Sequence, residues 1–225
     1  MIENLHHLGI IMDGNRRWAR EKGQLVFRGH VQGLETLKKI VRHCNKKGVE
    51  KLTIFAFSTE NWNRPKKEVD FLMNLIKRAL NKDLKELDKE NIKIRIIGQR
   101  EKLPKKILLA VNNLENLTKN NTGMTLNIAL SYGGRAEITS AIKSIIRKKI
   151  SPDKITEQVI SDNLWTSDLD FLIRTGKEQR ISNFLIWQSA YSELYFSSKH
   201  WPDFNENDLD EALHEFSLRK RRKGK

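Results

Sequence analysis

Six short apolar, β-branched runs recur along the chain, at residues 8–12, 52–57, 92–97, 124–130, 169–173 and 194–196. Between them lie longer segments whose apolar residues fall three and four apart, the spacing of one helix face. Strand, helix, strand in this rhythm selects an α/β fold: a single domain with a mainly parallel six-stranded sheet flanked by helices on both faces. In Ile92-Lys93-Ile94-Arg95-Ile96 polar and apolar residues alternate, which predicts an edge strand with one wet face. Leu34, Leu37, Val41 and Cys44 form a helical stripe that Gly48 ends. No repeat, linker or domain boundary interrupts the pattern, so residues 1–225 read as one domain with a basic tail at 219–225.

A chain of 225 residues can bury a core of its own, and its lone thiol, Cys44, excludes a disulfide framework. No run reaches the roughly 18 apolar residues of a membrane span, and the first seven residues lack the basic and apolar regions of a secretion signal. A cytoplasmic protein is expected. The formal charge is +14, and six of those charges fall in the tail, so the body is basic as well. Such a field attracts nucleic acid, acidic membrane surfaces or small polyphosphates, and a lysine-rich solvated surface would look the same. Composition alone does not choose.

One helical segment is unusually apolar. After Pro65 come Val69, Leu72, Met73, Ile76, Leu80, Leu84 and Leu87, enough to seat one long helix on the sheet, and Phe71 and Leu75 widen the apolar arc. Deep burial or a partner surface would explain this; so would a helix that lines an apolar cavity on its second side.

Ligands of open parallel sheets bind at the carboxyl ends of the strands. The first strand runs into Asp13-Gly14-Asn15-Arg16-Arg17-Trp18. Gly14 permits a tight turn and Arg17 offers a fork of donors to phosphate. Asp13 would repel a phosphate but suits Mg²⁺, which binds through one or two carboxylates plus phosphate oxygens; a capped turn is the alternative. The second strand ends in Ser58-Thr59-Glu60-Asn61-Trp62-Asn63-Arg64-Pro65, and the fifth in Arg174-Thr175-Gly176-Lys177-Glu178-Gln179-Arg180-Ile181-Ser182-Asn183. Cations and a hydroxyl in that last loop would make a second phosphate site, with Ser182 capping a following helix. A Walker loop, G-x-G-x-x-G, G-x-S-x-G and H-E-x-x-H are all missing, and the six His residues lack metal-site spacing.

His7-Leu8-Gly9-Ile10-Ile11-Met12-Asp13-Gly14-Asn15, Phe57-Ser58-Thr59-Glu60-Asn61-Trp62-Asn63-Arg64-Pro65 and Ile173-Arg174-Thr175-Gly176 together resemble the cis-prenyltransferases. Gly29-His30, Tyr132-Gly133-Gly134-Arg135, Arg180-Ile181-Ser182-Asn183-Phe184, a block at 187–196 and Trp201-Pro202-Asp203-Phe204 extend the likeness, in family order, over almost the whole chain. The resemblance implies a homodimer whose subunits carry a hydrophobic tunnel. It also implies elongation of farnesyl diphosphate by isopentenyl diphosphate with Mg²⁺, giving a long-chain polyprenyl diphosphate released to the membrane. In bacterial members that product is undecaprenyl diphosphate, the precursor of the wall lipid carrier.

By position, Asp13 becomes the metal ligand and, with Asn61, the catalytic residue. Gly14, Asn15, Arg16, Arg17, Trp18, Arg28 and His30 fall to the allylic diphosphate. Ser58, Thr59, Glu60, Trp62 and Arg64 fall to the reacting centre. Arg174, Arg180 and Ser182 bind isopentenyl diphosphate, with Glu193 as a further metal ligand. Leu34, Leu37, Phe71, Met73 and Leu75 are the expected tunnel wall.

Five positions depart from the pattern. Arg16 replaces a frequent Gly; Val26 replaces an arginine that Arg28 would substitute; Lys177 and Gln179 replace a Gly and a His; Lys223 replaces an aromatic in a basic tail, with Arg219, Arg221 and Arg222, and the resemblance implies that this tail reaches toward the partner subunit. A shorter-chain synthase is the nearest alternative. A nucleic-acid-binding module is the rival that charge alone would favour, and with these motifs no nucleic-acid partner is expected.

Overall fold

The structure, a computed structural model, describes residues 5–219. Six strands form one sheet: β1 (His7–Ile11), β2 (Lys51–Ser58), β3 (Lys93–Ile97), β4 (Thr125–Tyr132), β5 (Phe171–Arg174) and β6 (Glu193–Phe196). Their order across the sheet is β3-β4-β2-β1-β5-β6, and every neighbouring pair is parallel. The alternating run at 92–97 is indeed an edge strand, with Arg95 exposed between buried Ile94 and Ile96.

Helices cover both faces: α1 (Asn15–Glu21), α2 (Val26–Lys46), α3 (Lys66–Arg78), α4 (Lys105–Thr118), α5 (Gly134–Arg147), α6 (Glu157–Asp162) and α7 (Glu206–Leu218). Period-two alternation divides the strand residues between two cores. Leu8, Ile10, Ile54, Phe171 and Ile173 pack with the stripes of α2, α3, α4 and α7. Ile11, Ala129, Leu172 and Tyr132 face Phe184 and Leu185 on the other side. The α2 stripe Leu34, Leu37, Val41, Cys44 is buried as its spacing requires, and Gly48 reverses the chain beyond the helix at φ 79°.

The segment after Pro65 corrects the expectation of one long helix. Regular α-helix stops at Arg78; a π turn follows over Ala79–Asp83, closed by the Leu84 amide donating to the Ala79 carbonyl at 2.9 Å, then a 3₁₀ turn over Lys85–Glu90. Leu80, Leu84 and Leu87 still reach the core, but by changing helix type along the way. The helix expected after Ser182 is also absent. Ser182, Asn183 and Leu185 take left-handed backbone at φ 47°, 64° and 44°, so the segment coils instead of capping a helix. No helix among the described residues is long and apolar enough to cross a membrane. The tail positions Arg221, Arg222 and Lys223 lie outside the described residues.

Candidate active site

The chain leaves β1 toward β2 on one side, while β5 flanks β1 on the other, so a crevice opens past the carboxyl ends of β1 and β5. Asp13 lies two residues beyond β1 and Arg174 is the last residue of β5, paired in register with Ile11. Both therefore stand at the same rim, with Ser58 closing the adjacent β2.

Asp13 is the common acceptor. Its Oδ1 accepts from the Gly14 amide at 2.7 Å; its Oδ2 accepts from Arg174 Nη2 at 2.9 Å and Arg17 Nη2 at 3.0 Å. Burial works against the charged carboxylate, but the Arg174 hydrogen bond and the Arg17 and Arg174 charges outweigh it and hold the group below the usual carboxylate range. Gly14 makes the turn at φ 106°, and a Cβ there would come within 2.5 Å of His200 Nδ1. Only glycine fits both demands. Arg174 is buried, and its Nη1 donates to Ser182 Oγ at 2.7 Å and to the Arg180 carbonyl. Ser182 therefore acts on Arg174 in place of the helix cap expected of it.

Three openings meet at this rim. An apolar cleft of about 740 Å³ runs between α2, α3 and the sheet, lined by Leu34, Leu37, Leu75, Ile76, Leu84 and Ile128 among others. Beside it a polar pocket of about 950 Å³ is lined by Asp13, Gly14, Asn15, Arg16, Arg17, Arg20, His30, Asn61 and Arg64. A second polar pocket, about 1140 Å³, is lined by Asp13, Ser58, Glu60, Asn61, Arg64, Arg174, Arg180, Ser182 and Asn183. Asp13, Asn61 and Arg64 border both polar pockets; Asn15 and His30 border both the first polar pocket and the apolar cleft. Ala56, the extra residue of a bulge where β2 slips against β4, lines the cleft and the first pocket.

His30 marks the change from polar to apolar. Burial, aided by the Arg64 charge, pushes its imidazole down to about 4, so it is neutral at pH 7. Its Nε2 and the Nε of Arg16 lie buried without hydrogen-bond partners, 3.6 and 3.8 Å from Glu68 Oε1. Glu68 accepts from Arg64 Nη1 at 3.0 Å, which ties the first turn of α3 to the pocket. Asn61 and Ser58 cap the short 3₁₀ turn over Thr59–Asn63 reciprocally, each amide donating to the other's side chain at 3.2 Å.

Other expected contacts lie elsewhere. Trp18 is buried with Lys22 over its ring, Arg28 is exposed on α2, and Trp62 donates from Nε1 to Ser131 Oγ; these three and Thr59 border none of the openings. Leu72, Leu75 and Ile76 along α3, with Ala79 of the turn after it, form the cleft face. Phe71 and Met73 are about 100° to either side of Leu72 and miss it. Phe71 packs against Phe27, the rings tilted with centroids 4.4 Å apart, and Met73 joins the core. Glu193 does not meet Asp13 within the chain. It is in register with Phe171 and hence Leu8, about 10 Å along the strands from the level of Ile11, and it pairs with Arg219 at 3.0 Å. Among the described residues no three His, Cys, Asp or Glu side chains cluster as a metal cage.

Glu68, Trp201 and Glu178, for which the sequence suggested no individual role, also meet the openings or their arginines. Glu68 carried a signal, four residues after Arg64 at a helix start. Trp201 lines the cleft and donates to the Gly33 carbonyl at 2.8 Å. Glu178 bridges Arg17 and Arg180, with Nη1 distances of 2.8 and 2.6 Å, a contact visible only once the loops are assembled.

A family model described as putative undecaprenyl diphosphate synthase matches residues 11–224. An isoprenyl transferase of Streptococcus pneumoniae is 48% identical, the match covering 97% of this chain and 91% of that protein. A ditrans,polycis-undecaprenyl-diphosphate synthase, farnesyl-diphosphate specific, from Pasteurella multocida is 47% identical over 97% of this chain and 94% of its own length. Among solved structures, lavandulyl diphosphate synthase from Lavandula x intermedia in complex with dimethylallyl diphosphate superposes with a TM-score of 0.94 at 38% identity, covering 98% of both chains. A probable undecaprenyl diphosphate synthase from Campylobacter jejuni gives 0.86 at 36%, covering 99% of this chain and 100% of that one. With a family model spanning nearly the whole described chain and relatives this similar at full length, the chain belongs to the undecaprenyl diphosphate synthase family of prenyltransferases.

Proposed function

We propose that the protein condenses isopentenyl diphosphate units onto farnesyl diphosphate to make a long-chain, undecaprenyl-type diphosphate. One observation carries this reading: two polar pockets share Asp13, Asn61 and Arg64, and one of them opens through Asn15 and His30 into an apolar cleft. The allylic diphosphate takes the pocket of Arg16, Arg17 and His30, with its hydrocarbon in the cleft. Isopentenyl diphosphate takes the pocket of Arg174, Arg180 and Ser182.

As the C–O bond of the allylic diphosphate breaks, its electron pair leaves with pyrophosphate, where Arg17 meets the growing charge. The isopentenyl double bond attacks the allylic carbon, and a proton is lost from the new chain. Arginines on both diphosphates hold the reacting carbons together, which makes the encounter nearly intramolecular. Asn61, bordering both pockets, faces the place where the new bond forms. The donor chemistry of the site suits Mg²⁺, which Asp13 would hold through one partly exposed carboxylate together with oxygens of the diphosphate. When bound, Mg²⁺ neutralises diphosphate charge and makes it a better leaving group. Each five-carbon unit entering the cleft gains up to about 4 kcal/mol from burial, at ~0.8 kcal/mol per carbon, which favours further elongation. Release of so apolar a product to a membrane, and a homodimer for which exposed Ile142 and Ile146 on α5 offer an apolar face, belong to the same reading.

The test is transfer of labelled isopentenyl diphosphate into solvent-extractable product. Transfer that requires both farnesyl diphosphate and Mg²⁺, and ceases with EDTA, supports the proposal; absence of transfer under all conditions rejects it.

A further inference from the structure

The loop after β5 carries a carboxylate that the proposed reaction does not use. Glu178 Oε1 accepts from Arg17 Nη1 at 2.8 Å, and its Oε2 accepts from Arg180 Nη1 at 2.6 Å. Arg17 borders the pocket beside the cleft and Arg180 borders the other. Each oxygen of one carboxylate thus serves a different pocket, in a chain running Arg180, Glu178, Arg17, Asp13, Arg174.

A guanidinium fork presents the same donors to a carboxylate as to a phosphate. A diphosphate that takes the donors of Arg17 or Arg180 therefore displaces an oxygen of Glu178. The side chains of Glu178, Arg17 and Arg180 are 30%, 35% and 61% exposed, so these pairs can open without stranding a buried charge. Asp13 and Arg174 are different: Arg174 is 5% exposed and fixed by Ser182 as well, which makes that pair the rigid part of the chain.

We propose that Glu178 is a positioning residue that competes with diphosphate for Arg17 and Arg180 and so promotes release of inorganic pyrophosphate after each condensation. Repeated elongation needs this, because one pyrophosphate must leave before the next allylic diphosphate can settle. Glu178 recaptures Arg17 as the by-product departs, and Arg180 once the elongated diphosphate moves to the vacated pocket, and keeps both forks oriented for the next arrival. The inference rests on the reading of Arg17 and Arg180 as diphosphate ligands.

The experiment is calorimetric titration of the full-length chain with inorganic pyrophosphate in EDTA, comparing wild type, Glu178→Gln, Glu178→Asp and Arg180→Gln. Two exposed pairs lost together predict that Glu178→Gln binds pyrophosphate about 3- to 10-fold more tightly. Glu178→Asp, with the charge kept on a shorter stem, falls between it and wild type. In turnover, Glu178→Gln shows stronger inhibition by added pyrophosphate and a lower kcat without a higher KM for isopentenyl diphosphate. Unchanged or weaker pyrophosphate binding in Glu178→Gln, with melting unchanged, overturns the inference. Failure of Arg180→Gln to weaken binding overturns instead the assignment of Arg180 to diphosphate.

Discussion

At the scale of single residues, Asp13 is the point where the two pockets and the arginines meet. Replacing it with Ala removes the carboxylate suited to the metal and releases Arg174 and Arg17 from a common acceptor. We expect turnover to fall by about 10²–10³-fold or more, the usual effect of losing a preorganised charge contact, and melting to drop as well, because buried Arg174 loses its carboxylate partner. Arg174→Lys tests the neighbouring pocket. Lysine cannot reach Asp13 and Ser182 with one planar fork, so steady-state kinetics should show KM for isopentenyl diphosphate about tenfold or more higher, with a smaller change for the allylic substrate. Asp13, Arg17 and Arg174 were legible in the sequence because strand ends and anion-binding residue types coincide there. Glu178 was not, since its partner Arg17 lies 161 positions away and nothing local marks the pairing. Trp18 and Trp62 misled for a related reason: an aromatic beside a site looks the same in sequence whether it faces ligand or core.

Between elements, the cleft depends on how α3 ends. The turn types from Ala79 to Glu90 carry Ala79, Leu80 and Leu84 along the inner end of the cleft, a path that regular helix periodicity does not describe. The apolar pattern left a lined cavity open as one alternative, and Phe71 and Met73 miss its wall because they stand about 100° to either side of Leu72 on regular helix. Ala79→Leu should fill part of the cleft and shift products toward shorter chains, at about 1–3 kcal/mol in stability, read by product chromatography and urea unfolding. A second inter-element feature is a buried polar relay. The Asn127 amide donates to Thr53 Oγ1 at 3.0 Å, Thr53 Oγ1 lies 2.7 Å from His7 Nε2, and His7 Nδ1 faces the Asp168 carbonyl at 2.8 Å, tying β4, β2 and β1 together. Burial pushes His7, like His30, down to about 4. The unfolded chain titrates these imidazoles near 6.5, so between about 6.5 and 4 it binds protons that the folded chain does not. Stability should be complete above pH 6.5 and decline as pH falls toward 4. Urea midpoints measured across that window should drop, and His7→Gln should start lower but decline less steeply; a flat wild-type profile would contradict the assignment.

Across the whole molecule, six runs of apolar residues determine one parallel sheet, and the order of its strands places a crevice past β1 and β5. That much was legible, because a parallel sheet buried on both faces writes its strands as near-continuous apolar runs. The coil after Ser182 was not, since its left-handed backbone answers to packing under Tyr132 and Phe55 and not to local spacing. The crevice joins an apolar cleft to two polar pockets, the arrangement from which we propose repeated elongation in place of a single coupling. Product size and double-bond geometry therefore test the central claim most directly. Supplied with isopentenyl diphosphate, Mg²⁺ and either farnesyl or dimethylallyl diphosphate, the protein should build a long polyprenyl chain with cis double bonds in the added units, and do so from the farnesyl primer. A single branched coupling of dimethylallyl units, with no chain growth from farnesyl diphosphate, would contradict it.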